Sequence, residues 1–287
     1  GREITLRASQ EATIYVLNAK RAELAEIEER YGVSIEILPN SEAEGAKMTV
    51  SSSGGKPEKQ VAFEPIIDEE DIAAVVEVLR SDWLTTGPKV KEFEEAVANY
   101  VGAKYAVSFS SGTAALHAAA FAAGLGPGDE AITTPLTFCA TANCALYMGA
   151  TPVFADVSAD TMNLDPELAA KRITPRTKAI LPVSLYGQCA NMTQINQVAA
   201  KHHLPVIEDA AHSFGCTYGE KKIGSFGDIV CFSFDGIKNI TSGEGGAVVT
   251  KNAETAQRIR DSRLLGIEKD TKKRFTGERS WDFNVVE

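Results

Sequence analysis

Two segments in the middle of the chain end apolar runs with ionisable side chains. Val206-Ile-Glu-Asp-Ala-Ala-His-Ser213 places Asp209 at the end of a short apolar run. Cys231-Phe-Ser-Phe-Asp-Gly-Ile-Lys238 places Lys238 shortly after a second one. The two ionisable residues are 29 positions apart, which leaves room for two strands and their connections. Both side chains can therefore reach one pocket from neighbouring strand ends.

A lysine and a carboxylate in one pocket are what pyridoxal phosphate requires of a protein. The lysine forms an imine with the cofactor aldehyde, and the carboxylate keeps the ring nitrogen protonated so that the ring can accept electrons. Asp209, held at a strand end in a low dielectric, would bind a pyridinium N–H strongly. His212 can donate to the phenolic oxygen of the same ring. The pair therefore points to pyridoxal phosphate as a candidate cofactor, with Lys238 and Asp209 as candidate catalytic residues. Taken alone, Asp209 and His212 fit equally well a helix-cap carboxylate with a satisfied histidine nearby.

Strand-like and helix-like runs alternate from about residue 62 onward. The strand-like runs are 105–109, 130–134, 152–154, 179–183, 205–207, 228–234 and 247–250. Helical stretches lie between most of them, at 112–123, 138–148, 165–172 and 191–203. Such alternation requires crossover connections, so it predicts an α/β fold with a mainly parallel sheet and helices on both faces.

The first 47 residues have a different pattern. Apolar residues at spacings of three, four and seven predict one helix; they are Ile14, Leu17, Leu24, Ile27 and Tyr31. A short strand follows at 33–38, and a Ser-, Gly- and Lys-rich stretch predicts a linker. The predicted organisation is a helix–strand appendage over 1–47, a linker over 48–62 and a large α/β domain over 63–287.

Composition excludes several function classes. The net charge of −10 gives no global attraction for nucleic acid or anionic membrane surfaces. No apolar run reaches the roughly 18 residues of a membrane span, and the first residues lack the apolar core of a signal peptide. Five cysteines without a CxxC pair indicate a reducing cytoplasm, and four scattered histidines argue against a metal site. We predict a cytoplasmic protein without nucleic-acid, membrane or metal partners.

Three further elements favour a phosphate-bearing cofactor. Ser110-Ser-Gly-Thr-Ala-Ala-Leu116 lies between a strand and an Ala-rich helix, and free N–H groups at a helix start hold a phosphate well. Phe138 follows a strand and can lie flat on a ring, and Ser233 can add a hydroxyl to the phosphate site. Taken singly, these elements also fit an ordinary helix cap, a core phenylalanine and, for Lys238, a surface lysine. Only their order and context together decide.

Seven ordered motifs carry a family resemblance. They are Asp82–Pro88, Ser110–Leu116, Thr134–Phe138, Leu185–Gln188, Glu208–His212, Ser233–Lys238 and Gly243–Gly246. From about Phe63 to its end, the sequence resembles the sugar-nucleotide aminotransferases of the DegT/DnrJ/EryC1/StrS family.

The resemblance implies a pyridoxal-phosphate enzyme of fold type I. It assigns Lys238 as the imine lysine and Asp209 as the partner of the ring nitrogen. It places His212 at the ring oxygen and Phe138 on the ring. The residues that it places around the phosphate are Gly112, Thr113, Ala114 and Ser233.

The implied activity is transfer of an amino group to a keto sugar carried by a nucleotide, for cell-surface polysaccharide or glycan biosynthesis. Glutamate is the expected donor, and Lys238 the general base and acid. The complete enzyme is expected to be a homodimer. A sugar dehydratase on the same scaffold is an alternative, but such enzymes replace the lysine by histidine. A non-catalytic RNA-associated protein acting through residues 1–47 is another, and the negative net charge argues against it.

The sequence also departs from the family. Asp235 stands where many members have histidine. The chain ends at Glu287, before the family's segment rich in Gly, Asn or His, Tyr and Arg and its small C-terminal domain, so we expect poor activity from this chain alone. Residues 11–21 and 27–40 resemble a stretch of the ribonuclease E/G family.

Overall fold

The computed structural model describes residues 2–40, 49–53 and 67–263, and the chain forms two compact units, Gly1–Pro65 and Ile66–Glu287. The elements of the first unit are β1 (Arg2–Ala8), α1 (Gln10–Ala19), α2 (Arg21–Tyr31), β2 (Val33–Pro39) and β3 (Thr49–Ser53). They form a sheet of order β2-β1-β3, in which β1 is parallel to β2 and antiparallel to β3.

The prediction of one helix in this unit is wrong. The backbone leaves the helical conformation at Lys20, with φ −118° and ψ 13°, and this divides the helical region into α1 and α2. The apolar spacing continues across Lys20, so it does not reveal a break of the helix at that single residue. Residues 49–53 of the predicted linker form strand β3, which pairs with β1. The serines Ser51 and Ser52 have no apolar pattern, so the sequence alone does not indicate this strand. Residues 54–66 lie outside the described ranges.

The second unit contains the helices and strands that build the predicted site. Its helices are α3 (Glu69–Arg80), α4 (Pro88–Val101), α5 (Gly112–Ala122), α6 (Ala140–Tyr147), α7 (Pro166–Lys171), α8 (Met192–His202) and α9 (Ala253–Arg263), with a 3-10 turn at Leu185–Gly187. Its strands are β4 (Tyr105–Phe109), β5 (Glu130–Thr133), β6 (Thr151–Phe154), β7 (Thr177–Leu181), β8 (Ile207–Asp209), β9 (Thr217–Tyr218), β10 (Lys221–Lys222), β11 (Ile229–Ser233) and β12 (Gly246–Thr250).

The start of α3 shows how local sequence sets a helix boundary. Asp68 Oδ1 accepts hydrogen bonds from the N–H groups of Glu70 and Asp71 at 2.8 and 3.0 Å. Asp71 Oδ2 in turn accepts the N–H of Asp68 at 3.0 Å, which completes a capping box. This capping box sets the start of α3 at Glu69.

The second unit contains a largely parallel sheet. One part has the order β4-β12-β11-β8 and the other the order β6-β5-β7. Parallel bridges between residues 180 and 206 and between residues 183 and 209 join β7 to β8. Among the described strands of the combined order β4-β12-β11-β8-β7-β5-β6, β12 runs antiparallel to its two neighbours and the other pairings are parallel. The predicted α/β class is confirmed.

Helices cover both faces of this sheet, and small side chains set the spacing on one face. The α5 helix buries Ala115, Ala118, Ala119 and Ala120 against α6 and strands β8, β11 and β12. Alanine presents little more than the helix backbone, so α5 lies close to the strands. This close approach brings the first turn of α5 to the carboxyl ends of the parallel strands. Within the described ranges, no helix is both long and apolar enough to cross a membrane.

Candidate active site

A cavity of about 710 Å³ opens at the carboxyl ends of β4, β5, β7, β8 and β11. Seven of the eight residues predicted for the cofactor site line it; they are Gly112, Thr113, Phe138, Asp209, His212, Ser233 and Lys238. These residues come from four separate motifs of the sequence. The parallel sheet therefore brings together the groups that the sequence motifs predict, as expected for strand ends that share one edge.

Asp209 is the buried acid of the cavity and ends β8 at 5 % exposure. Its Oδ2 accepts the hydroxyl of Thr141 at 2.6 Å, and its Oδ1 accepts the N–H of Ala211 at 3.1 Å. Burial raises the pKa of Asp209, while these two hydrogen bonds and the charges of His212 and Lys238 oppose the rise. None of the ion pairs among the described residues includes Asp209. A cationic group in the cavity would therefore be strongly favoured beside this carboxylate.

His212 lies half-buried beside Tyr186. Its Nδ1 accepts the backbone N–H of Tyr186 at 3.3 Å, and the two rings stack with centroids 5.7 Å apart. Burial and the nearby charge of Lys238 lower the pKa of His212, against the opposing effect of Asp209. The imidazole is therefore neutral near pH 7. Because Nδ1 accepts a hydrogen bond, the proton is on Nε2, which suits His212 as a donor.

The first turn of α5 and the end of β11 form a close-fitting cradle. A Cβ added to Gly112 would lie 2.8 Å from the Cβ of Ser233 and 3.2 Å from its hydroxyl, so only glycine fits there. The first N–H groups of a helix have no partner within the helix. Those of Ala114 and Ala115 donate to the side chain and carbonyl of Ser111, which leaves the amides of Gly112 and Thr113 for a ligand.

Ala114 is placed differently from its prediction. Its N–H donates to Ser111 Oγ at 3.1 Å, and the residue lines a second cavity on the other side of α5. The cap hydroxyl would compete with a phosphate for this amide, and the predicted contact of Ala114 with phosphate stays a prediction. The Ser111 side chain therefore acts as an ordinary helix cap, the alternative given for it above.

Lys238 sits in the turn that follows β11. Its backbone N–H donates to the carbonyl of Asp235 at 3.0 Å. The Asp235 carboxylate accepts the N–H of Ile237 at 3.1 Å, which closes the same turn. Asp235, the residue that departs from the family pattern, therefore shapes the loop that carries Lys238 and itself lines the cavity.

Several residues in or beside the cavity were not predicted from the sequence. Thr141 binds Asp209, and its hydroxyl lies 2.8 Å from that of Thr137 on the cavity wall. Leu136, Tyr186 and Ile237 add apolar walls around Phe138. The one signal available for Thr141 was its position three residues after Phe138, one helical turn away, which is weak on its own.

The residues present fit pyridoxal phosphate. A buried carboxylate faces the cavity without an ion-pair partner among the described residues, as a protonated ring nitrogen requires. The Gly112–Ser233 cradle with its two amides suits a phosphate, and Lys238 supplies the amine.

The chain also matches a family model over residues 65–285, that of the DegT/DnrJ/EryC1/StrS aminotransferase family.

The chain belongs to this family.

Curated relatives agree with the assignment. The spore coat polysaccharide biosynthesis protein SpsC of Bacillus subtilis is 48 % identical over 221 residues, which cover 77 % of this chain and 57 % of SpsC. The UDP-4-amino-4-deoxy-L-arabinose–oxoglutarate aminotransferase of Shewanella sediminis is 45 % identical over 223 residues, 78 % of this chain and 57 % of the relative. The chain thus spans little more than half the length of these relatives.

A solved structure agrees in fold. NtdA of Bacillus subtilis, solved with bound cofactor PMP, has a TM-score of 0.67 and 31 % identity, covering 80 % of this chain and 53 % of NtdA. PMP is the amino form of the cofactor predicted from the sequence. The predicted family and fold class are confirmed. Residues 1–53 match the RNase E/G thioredoxin-like domain, in line with the resemblance noted there.

Proposed function

We propose that residues 63–287 are the large domain of a pyridoxal-phosphate-dependent aminotransferase acting on a nucleotide-linked keto sugar. The observation that carries the proposal is the convergence of Lys238, Asp209 and His212 with the Gly112–Ser233 cradle on one cavity. A buried acid, a neutral imidazole and an amine at one strand edge are the groups that an aminotransferase needs around this cofactor.

Each residue has a proposed task. Pyridoxal phosphate, when bound, supplies a conjugated ring that accepts the electrons of a breaking bond at the α-carbon of the amino donor. Asp209 would accept the ring N–H, and His212 would donate from Nε2 to the ring oxygen. Gly112 and Thr113 would hold the phosphate with their amides, and Ser233 with its hydroxyl. Phe138 would pack against the ring.

Lys238 carries the proton. With the cofactor bound, Lys238 Nζ would hold its aldehyde, and the same amine would act as the general base and acid that takes the proton from the donor α-carbon and gives it back during transfer. Asp209 and His212 help here, since Asp209 favours positive charge in the cavity and the neutral His212 does not repel the ammonium. The same amine then serves the reverse half-reaction with the keto sugar.

Substrates and assembly are also proposed. The Shewanella relative is named as an oxoglutarate aminotransferase, and oxoglutarate is the keto acid that glutamate leaves, so glutamate is the proposed donor. SpsC supports a role in cell-surface polysaccharide biosynthesis. Large apolar side chains at the cavity are strongly exposed, Tyr186 at 85 % and Ile237 at 87 %, which supports coverage by a second copy in a homodimer. The five free cysteines support a reducing cytoplasm.

Borohydride reduction tests the proposal. Incubation with pyridoxal phosphate, reduction and peptide mapping should place the label on Lys238. Lys238→Arg, which keeps the charge but not the reactive amine, should take up no label. A label on another lysine, or none in a folded sample, refutes the assignment. Retention of the lysine disfavours the sugar dehydratase alternative. An electrophoretic shift with RNA at moderate salt would instead favour the RNA-associated alternative, which the match of residues 1–53 keeps open.

A further inference from the structure

Glu208 is a fully buried acid that the proposed mechanism does not use. It precedes Asp209 on β8, and consecutive strand residues point to opposite faces of a sheet, so Glu208 faces away from the cavity. It is 0 % exposed, its Oε2 has no hydrogen-bond partner among the described residues, and none of their ion pairs includes it. Acids are almost never this deeply buried without an ion-pair partner, so the burial of Glu208 needs an explanation.

The strong contact of Glu208 is with Ser184. The Ser184 hydroxyl donates to Glu208 Oε1 at 2.6 Å, while the Cys189 thiol is a long contact at 3.8 Å. Ser184 lines the cavity and is held from two further directions. Its N–H donates to the carbonyl of Asp209 at 2.9 Å, and its carbonyl accepts the hydroxyl of Ser213 at 2.8 Å. Ser184 is therefore the link between Glu208 and the cavity.

The residues after Ser184 need such an anchor. Tyr186 has φ 53° and ψ 29°, a left-handed backbone that a bulky residue rarely adopts, and its side chain is 85 % exposed. Such a conformation persists only where the surroundings hold it. The N–H of Tyr186 is the donor to His212 Nδ1. The position of this amide thus determines the tautomer and orientation of the imidazole.

We propose that Glu208 is a positioning residue of this site, which acts through Ser184 to hold segment 184–186 and thereby orients the His212 ring. The part of the proposal that concerns the cofactor rests on the proposed function. Glu208 touches neither cofactor nor substrate, and its effect on them passes through one hydrogen bond and one short segment.

The experiment compares Glu208→Leu with Glu208→Gln. Glutamine keeps an oxygen for the Ser184 hydroxyl, whereas leucine keeps the volume and loses the acceptor. Glu130→Leu is the matched control, because Glu130 is also a buried acid bound to a threonine hydroxyl, that of Thr174 at 2.5 Å, and it lies at the opposite end of β5 from the cavity.

The first measurement uses cofactor-free protein. Side-chain ¹⁵N NMR, with His212→Asn for assignment, should show His212 protonated at Nε2 in the wild type, in Glu208→Gln and in Glu130→Leu. Glu208→Leu should show a mixture of tautomers. If Glu208→Leu does not fold, Ser184→Ala removes the same hydrogen bond and should give the same mixture. An unchanged tautomer in the folded variant that lacks this bond overturns the proposal, as does an equal change in Glu130→Leu.

The second measurement is the dissociation constant of pyridoxal phosphate from its visible absorbance. Glu208→Leu should weaken binding about tenfold, the value of one buried hydrogen bond, and Glu208→Gln should stay within about twofold. An equal loss of affinity in Glu208→Gln and Glu208→Leu would overturn the proposal. Absence of cofactor binding in the wild type would refute the proposed function instead, and the NMR comparison would still decide the role of Glu208.

Discussion

The stability of this protein should depend on pH through Glu208, and Glu208→Gln should remove that dependence. Burial raises the pKa of Glu208 from 4.5 to about 7; the hydrogen bonds from Ser184 and Cys189 oppose the rise and the charge of Asp209 adds to it. In the unfolded chain the acid ionises near its ordinary value. Between these two values the folded protein binds a proton that the unfolded chain has lost.

The sign follows from this difference. The native state loses stability relative to the unfolded state as the pH rises from the unfolded pKa through the folded one, because the carboxylate must then be ionised without a cationic partner. Glu208 therefore does not lower the free energy of unfolding below the unfolded pKa, and it lowers it most above the folded pKa. The gap between the two values, at about 1.4 kcal/mol per pH unit, gives a cost of about 3 kcal/mol by pH 8.

Urea unfolding of cofactor-free protein measures this cost. The free energy of unfolding of Glu208→Gln minus that of the wild type should rise by about 3 kcal/mol between pH 4.5 and pH 8. Glu130→Gln is the control. Hydrogen bonds from Thr174 and Arg176 lower the pKa of Glu130, so its difference from the wild type should not rise over this interval. A difference for Glu208→Gln that stays flat from pH 4.5 to pH 8 would refute the reasoning, because it would mean that the buried acid ionises at its ordinary pKa.

Three substitutions in or beside the cavity give further predictions. Asp209→Asn keeps the shape but removes the charge beside the ring nitrogen, so amination should collapse while cofactor binding largely survives; near-normal turnover, in this chain or one extended beyond Glu287, would contradict the role. Thr141→Val removes the hydroxyl from Asp209 Oδ2 and should lower turnover about tenfold, as expected for a hydrogen bond to a charged group; a change in KM alone would argue against it. Gly112→Ala should weaken pyridoxal phosphate binding about tenfold or more, because the new methyl overlaps Ser233; unchanged affinity in an absorbance titration would show that the cradle does not hold the phosphate.

Much of the site could be predicted because its chemistry sits in short, local patterns. Asp209 and Lys238 each follow an apolar run, and a parallel sheet brings such strand ends to one edge whatever the order of its strands. The cap at Asp68 depends on a hydrogen bond within three residues, so the sequence around it was sufficient. The same local reasoning does not decide Ala114, because two acceptors, the Ser111 hydroxyl and a phosphate, would compete for one amide.

Sequence alone therefore determined the family, the alternation of strands and helices, and the residue types that surround the cofactor site. Only the tertiary structure decided how those residues are held. Thr141 meets Asp209 across 68 positions and Ser184 meets Glu208 across 24, and the backbone of Tyr186 meets His212 across 26. The position of β12 between β4 and β11 is of the same kind. Such contacts depend on which elements pack together and at what distance. The packing of the whole core decides both, and no local run of residues encodes it.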